Sequence, residues 1–254
     1  MQKQATIGGW IYLAWFYTVL GTVLIVLYPL IIYGLRNRKR HFWVHRLRRK
    51  ACRVILFLTG VRNRVYRDAP WPDRPVIYAA NHTSVLDILV GLAVIPQPVL
   101  YSGKSELRQI PLFGRFFKYL DMSVERGNTK AGVELLSKAA NRIAEGWSIV
   151  WFPEGTTSPI APGLLKFKNG AFRLAVQAQV PVVPLTFVNH WHLQHYDTPG
   201  DNRPGKNRIV VGAPIEPGAG SEAVMAIKNQ TRQAIIDEMN RWWVEEQSVA
   251  SEQV

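Results

Sequence analysis

From Ala5 to Leu35 the chain carries no charged side chain, and from Trp10 to Tyr28 only Thr18, Gly21 and Thr22 interrupt an apolar, aromatic-rich run. Such a run reaches the roughly 20 residues that a membrane-crossing helix needs. Pro29 is expected to kink or end it. The pattern then changes. Leu47, Ala51, Val54, Ile55 and Leu58 fall on one helical face, while Arg46, Arg48, Arg49, Lys50 and Arg53 take most other positions. This predicts a basic amphipathic helix lying on lipid headgroups. A cleaved signal peptide fits poorly, because the apolar run is too long and no Ala-x-Ala site follows. A buried core helix would rarely end in Arg36-Asn37-Arg38-Lys39-Arg40.

Beyond Trp71 short apolar runs alternate with longer amphipathic ones. Residues 76–80, 98–102, 148–152, 182–188 and 208–212 read as strands. Residues 88–95, 130–145, 170–178 and 222–246 read as helices, and 197–206, with two Pro and two Gly, as a loop. Strand–helix alternation predicts an α/β fold, a mixed and mostly parallel sheet covered by helices. The expected organisation is an anchoring unit of two helices over residues 1–60 and an α/β domain over 61–254.

Charge sharpens this division. The net charge of +13 invites a nucleic-acid reading, but residues 1–67 hold 13 Lys and Arg and no acid, and the rest is formally neutral. Cations beside an apolar helix suit an anionic membrane surface, at about 1 kcal/mol each near the headgroups. A nucleic-acid footprint would interleave them with stacking aromatics on a folded face. If the helix spans, the positive-inside bias puts the body on the cytoplasmic side. A single cysteine, Cys52, excludes an internal disulfide and reads as a packing residue.

Two short motifs carry the chemistry. Asn81-His82-Thr83-Ser84-Val85-Leu86-Asp87 follows the first of the strands directly. A histidine with a carboxylate five residues on is a candidate general base with its orienting acid. On one ideal helix the two would stand about 140° apart, so they meet only if the motif turns a corner. Ser84 as N-cap and Asp87 three residues later form a Ser-x-x-Asp capping box that supplies this corner. Phe152-Pro153-Glu154-Gly155-Thr156-Thr157-Ser158, after another apolar strand, is a candidate substrate cradle.

In this order the motifs resemble those of the glycerolipid acyltransferases, over roughly residues 76–188. Lys104-Ser105-Glu106-Leu107, with Pro111, Gly114 and Glu125-Arg126, looks like that family's second motif; Val180-Pro181-Val182-Val183-Pro184 looks like its fourth, and Phe167-Lys168-Asn169-Gly170 matches a run between the third and fourth. The resemblance implies that His82 is the base and Asp87 its orienter. It places the acceptor among Asn81, Lys104, Arg126, Glu154, Gly155, Thr156, Thr157 and Lys168. In well-known members an Arg that contacts phosphate stands where this chain has Thr157, so Lys104, Arg126 or Lys168 would have to supply the charge.

The resemblance further implies acyl transfer from an acyl-carrier-protein or coenzyme A thioester, as co-substrate and without a cofactor, to the sn-2 hydroxyl of 1-acylglycerol-3-phosphate. Another lyso-acceptor, such as a lyso-aminolipid, is the alternative that Thr157 keeps open. A non-catalytic membrane-surface adaptor has no reason to hold these registers. The partners expected are membrane lipid, the lysophospholipid and the acyl carrier, with no nucleic acid. His190, His192 and His195 form a His-x-His-x2-His cluster. No Cys or nearby Glu completes it, so no metal is expected there. A lipid hydrolase would need an activated serine, and Ser84 lies too close to His82 in sequence for the usual arrangement.

Overall fold

A computed structural model describes residues 6–124, 129–194 and 198–251. Among these residues, seven strands form one sheet: β1 (Val61–Arg67), β2 (Ile77–Ala80), β3 (Val99–Lys104), β4 (Met122–Val124), β5 (Ser148–Trp151), β6 (Val182–Phe187) and β7 (Gly205–Val211). Their order is β1-β7-β6-β2-β5-β3-β4. All neighbours are parallel except β6 and β7, so the sheet is mixed and mostly parallel. The helices are α1 (Ile7–Leu35), α2 (His41–Leu58), α3 (Leu86–Val94), α4 (Gly114–Tyr119), α5 (Thr129–Ala144), α6 (Gly170–Ala178), α7 (His190–Leu193) and α8 (Ser221–Ser251).

The central strands are apolar on both faces, as strands covered on two sides must be. Val76, Tyr78 and Ala80 enter one hydrophobic cluster with Cys52, Ile55 and Leu56 of α2 and Leu86, Leu89 and Val90 of α3. Ile77 and Ala79, pointing the other way by the strand's two-residue period, enter a second cluster with α5, α6 and α8. Helix α1 contributes to both: Phe16 and Val19 to the first, Ile31 and Leu35 to the second.

Two expectations for the N-terminal helices need correction. Pro29 does not end α1, which continues to Leu35. In α2 the buried stripe is His41, Val44, His45, Arg48, Ala51, Cys52, Ile55 and Leu56, whereas Val54 and Leu58 are exposed. The reason is ionic. Arg48 turns inward, pairs with buried Asp121 ahead of β4, and donates to the Val99 carbonyl at 3.1 Å. Asp121 in turn accepts the Tyr101 amide at 3.0 Å. Arg49 and Arg53 cap the carbonyls of Pro96 and Ala93 at the end of α3. These three cations tie α2 to the body, while Arg46 and Lys50 stay exposed.

Helix α1 is, among the described residues, the one helix long and apolar enough to cross a membrane, and only 22% of its most apolar window is buried. Both of its ends are held. The Thr6 amide donates to the Gly200 carbonyl at 2.9 Å, and a Cβ on Gly9 would sit 1.8 Å from that oxygen, so only glycine allows the approach. Tyr12 and Trp15 donate to the carbonyls of Thr59 and Leu58. At the far end Ile31 and Leu35 are buried, and Arg38 pairs with Glu145 just before β5. The outward flank keeps Ile11, Trp15, Ile25, Val26 and Tyr33 exposed. Cys52 is buried in the first cluster, and burial pushes its thiol up to about 12, which leaves it inert as a nucleophile.

Strand β1 was not legible as a strand because its Arg62, Arg64 and Arg67 extend the basic flank. Its pairing shows only once β7 lies beside it, with Asn207 donating to Asn63 at 2.8 Å.

Candidate active site

Strands β6, β2 and β5 are adjacent and parallel, so their C-terminal ends open on one edge of the sheet. In α/β sheets such edges bind ligands. Asn81-His82 leaves β2 there, Phe152 to Thr157 leaves β5, and Phe187 to His190 leaves β6.

The corner between His82 and Asp87 forms through side-chain bonds to backbone amides, although Val85 and not Ser84 is the N-cap residue of α3. Ser84 Oγ accepts the Leu86 amide at 3.1 Å, while Asp87 Oδ2 accepts the amides of Thr83 at 2.6 Å and Ser84 at 3.0 Å. The same Oδ2 lies 2.8 Å from His82 Nδ1. Asp87 is fully buried. Burial alone would raise its pKa, but hydrogen bonds from His190 and His82 overcome that and hold it down to about 2. An ionised carboxylate only accepts, so His82 Nδ1 carries a proton, and in the neutral ring Nε2 is the nitrogen with the lone pair. That nitrogen faces the Thr157 hydroxyl at 3.3 Å. The ring stacks on Phe152, centroids 4.1 Å apart and planes 18° apart, with its side chain 16% exposed. An imidazole fixed by a carboxylate, with its other nitrogen toward a hydroxyl, is equipped to take a proton from an attacking alcohol.

The neighbouring residues hold this pair in place. Asn81 is buried; its Nδ2 donates to the Phe187 carbonyl at 2.9 Å and its Oδ1 accepts the Phe187 amide at 2.8 Å. Glu154, expected in the cradle, uses both oxygens on backbone: Oε1 accepts the His82 amide at 2.9 Å and Oε2 the Leu165 amide at 2.8 Å. Burial raises its pKa, against the lowering effect of those two amides. The Ser158 amide returns a bond to the His82 carbonyl at 2.7 Å. The loops after β2 and β5 are therefore stitched together by backbone.

Gly155 has φ +73°, a left-handed value that glycine adopts without strain. A Cβ there would meet Lys168 Nζ at 2.7 Å, so the lysine chain crosses the glycine. Thr156 and Thr157 are half-buried beside it. Of the three expected phosphate-binding cations, Lys168 is thus at the cradle. Lys104 ends β3, paired with Val124, and Arg126 lies outside the described residues.

Sequence reasoning missed His190. Expected as part of a histidine cluster, it is instead fully buried, with Nδ1 against Asp87 Oδ1. His192 contacts Arg203, and His195 lies outside the described residues. No group of three His, Cys, Asp or Glu side chains among the described residues could hold a metal. The one sequence signal for His190 was its place just after a strand that runs parallel to β2.

These features define a class: residues 61–188 match the model of the Acyltransferase family, half of the chain, and the chain belongs to that family. It is 32% identical over 65% of its length to a 1-acyl-sn-glycerol-3-phosphate acyltransferase of Chlamydomonas reinhardtii, and 28% identical over 80% of its length to a chloroplastic one of Brassica napus. It covers 49% and 57% of those two proteins, so it spans about half the length of these relatives. The fold matches the crystal structure of the 1-acyl-sn-glycerophosphate (LPA) acyltransferase PlsC from Thermotoga maritima, with a TM-score of 0.76 and 24% identity, over 94% of this chain and 98% of that one.

Proposed function

We propose that this chain is a membrane-attached acyltransferase that moves a fatty acyl chain from an acyl thioester to the sn-2 hydroxyl of 1-acylglycerol-3-phosphate, giving phosphatidic acid. The observation that carries this reading is the free Nε2 of His82, oriented through Nδ1 by buried, ionised Asp87 and already facing a hydroxyl at the Thr157 position. The acceptor hydroxyl takes the place of that of Thr157. Its oxygen attacks the thioester carbonyl, the C–S bond breaks, and His82 passes the hydroxyl proton to the leaving thiolate. No acyl-enzyme is needed and no cofactor is called for; an acyl carrier protein or coenzyme A supplies the thioester. Lys168 across Gly155 is placed to hold the acceptor's phosphate and so orient its hydroxyl.

Membrane attachment rests on α1, with its exposed Ile11, Trp15, Ile25 and Val26, and on a basic flank free of acid up to Asp68. With both ends of α1 bonded to the body, the helix lies along the protein and is immersed from one side rather than crossing the bilayer. The cation excess favours the anionic cytoplasmic face.

A second reading, a lyso-aminolipid acceptor, is favoured by Thr157 itself: a neutral side chain sits on the base where relatives of this motif carry a phosphate-binding Arg. The test is thiol release by purified full-length protein in vesicles, given one acyl thioester and a panel of lyso-acceptors. Transfer to 1-acylglycerol-3-phosphate ahead of the others is the expected result. Preference for a lyso-aminolipid would select the second reading, and no transfer to any acceptor would sink both.

A further inference from the structure

Asp87 carries two imidazoles. Its Oδ2 serves His82 Nδ1 and the amides of Thr83 and Ser84, while its Oδ1 is taken by His190 Nδ1. His190 opens α7, three residues past the end of β6, and lies 103 residues further along the chain. Its ring is fully buried and stacks on Phe187 with centroids 4.4 Å apart and planes 26° apart. Phe187 is the residue whose backbone Asn81 bonds on both sides. Ser84 Oγ also reaches Gln194, the residue after α7. The segment leaving β6 therefore grips the His82 loop at three points.

The second ring nitrogen makes the case for function. His190 Nε2 is buried with no hydrogen-bond partner among the described residues. Burying an unsatisfied polar nitrogen costs stability, and a Phe or Leu would fill the same volume without that cost. What the imidazole adds is the Nδ1–H donated to Asp87. Without it, Oδ1 would be a buried anionic oxygen without its partner, and the bonds to Oδ2 alone would set the carboxylate's rotation against His82.

We infer that His190 is a positioning residue for acyl transfer: it holds Asp87 by Oδ1 so that Oδ2 stays on His82 and Nε2 stays aimed at the acceptor hydroxyl. This rests on the reading of His82 as the base. It implies that the effect of His190 passes through Asp87 alone. His190→Phe should lower kcat roughly 10- to 100-fold, the size of effect expected when a reacting group is misplaced, with the KM for both substrates nearly unchanged. In His190→Asn the amide nitrogen can overlie Nδ1, and kcat should recover to within about fivefold of wild type. In an Asp87→Asn background, His190→Phe should cost almost nothing further, since coupled groups lose activity non-additively.

The experiment is steady-state kinetics of the wild type, the two His190 variants, Asp87→Asn and the Asp87→Asn/His190→Phe double variant, with thermal melts of each. Inactive wild type would sink the proposed function. With active wild type, three outcomes overturn this inference alone: a folded His190→Phe with wild-type kcat, a folded His190→Asn that loses kcat more than tenfold, or losses that multiply in the double variant. If His190→Phe does not fold, the kcat of His190→Asn, alone and with Asp87→Asn, decides between the same outcomes.

Discussion

Glu154 Oε1 accepts the backbone amide of His82 at 2.9 Å, so the residue that leaves β2 is held by a carboxylate that leaves β5. Two loops 72 residues apart thus share one partly buried bond, and the second oxygen of Glu154 extends it to Leu165. His82 is thus set at both ends: its backbone by Glu154 and its ring by Asp87.

His82→Ala should reduce acyl transfer by at least about 100-fold, the usual contribution of a general base. The side chain is partly open to solvent and its backbone bonds remain, so the melting temperature should move little. A variant that keeps more than a tenth of the activity would refute the assignment.

Asp87 also leaves a mark on stability. Its carboxyl is held down to about 2 in the fold against an ordinary value of 3.8. The depressed value means the stabilisation is present in full above about pH 4 and is lost as pH falls through 2. The difference corresponds to roughly 2 kcal/mol. Between pH 5 and pH 2, the stability of wild type should fall more steeply than that of Asp87→Asn, by about that amount, in denaturant melts at a series of pH values.

Lys168→Ala should raise the KM for lysophosphatidate about 10- to 150-fold and leave the donor KM alone, since a hydrogen bond to a charged group contributes about 1.5–3 kcal/mol. Gly155→Ala should also raise it, because the new Cβ displaces the lysine and the backbone is left-handed there. The double variant should be no worse than Lys168→Ala in acceptor KM. An acceptor KM indifferent to both would remove Lys168 from the phosphate site.

Asp121→Ala should be severely destabilising, by about 3–5 kcal/mol, because it strands buried Arg48 without its partner. For a chain of this size that lowers Tm by roughly 6–20 °C. Replacing both partners, as Arg48→Met with Asp121→Leu, should recover part of the loss, because the Tyr101 amide and Val99 carbonyl still lose their partners; a double variant as unstable as the single one would contradict this account.

Full-length protein should remain on anionic vesicles in salt of about 1 M, where surface charges are screened. Ile11→Glu with Ile25→Glu, both on the exposed flank of α1, should release it. Point substitutions test this better than deleting residues 1–35, which would also strip Phe16, Val19, Ile31 and Leu35 from the two cores.

The His82–Asp87 contact was legible because it spans five residues and is determined locally. So was the parallel sheet, whose strands are apolar runs between amphipathic helices. What failed to show were contacts made only when distant segments meet. Arg48 looked like a headgroup cation because Asp121 lies 73 residues away, and His190 looked like a cluster member because Asp87 lies 103 residues away. Glu154 and Asn81 were placed at the site by motif, but no spacing could tell that their side chains would turn to backbone amides and carbonyls.

The tethering of α1 at Gly200 and again before β5 has a kinetic consequence. On the proposed membrane attachment, a helix tied to the body near both ends would fix how deep the whole protein sits, so the opening of the sheet would meet the lipid at one constant height. An acceptor confined to that layer is then found by lateral diffusion in two dimensions. Velocity should follow the mole fraction of lysophospholipid in the surface and fall on dilution with inert lipid, even when the amount per millilitre is unchanged.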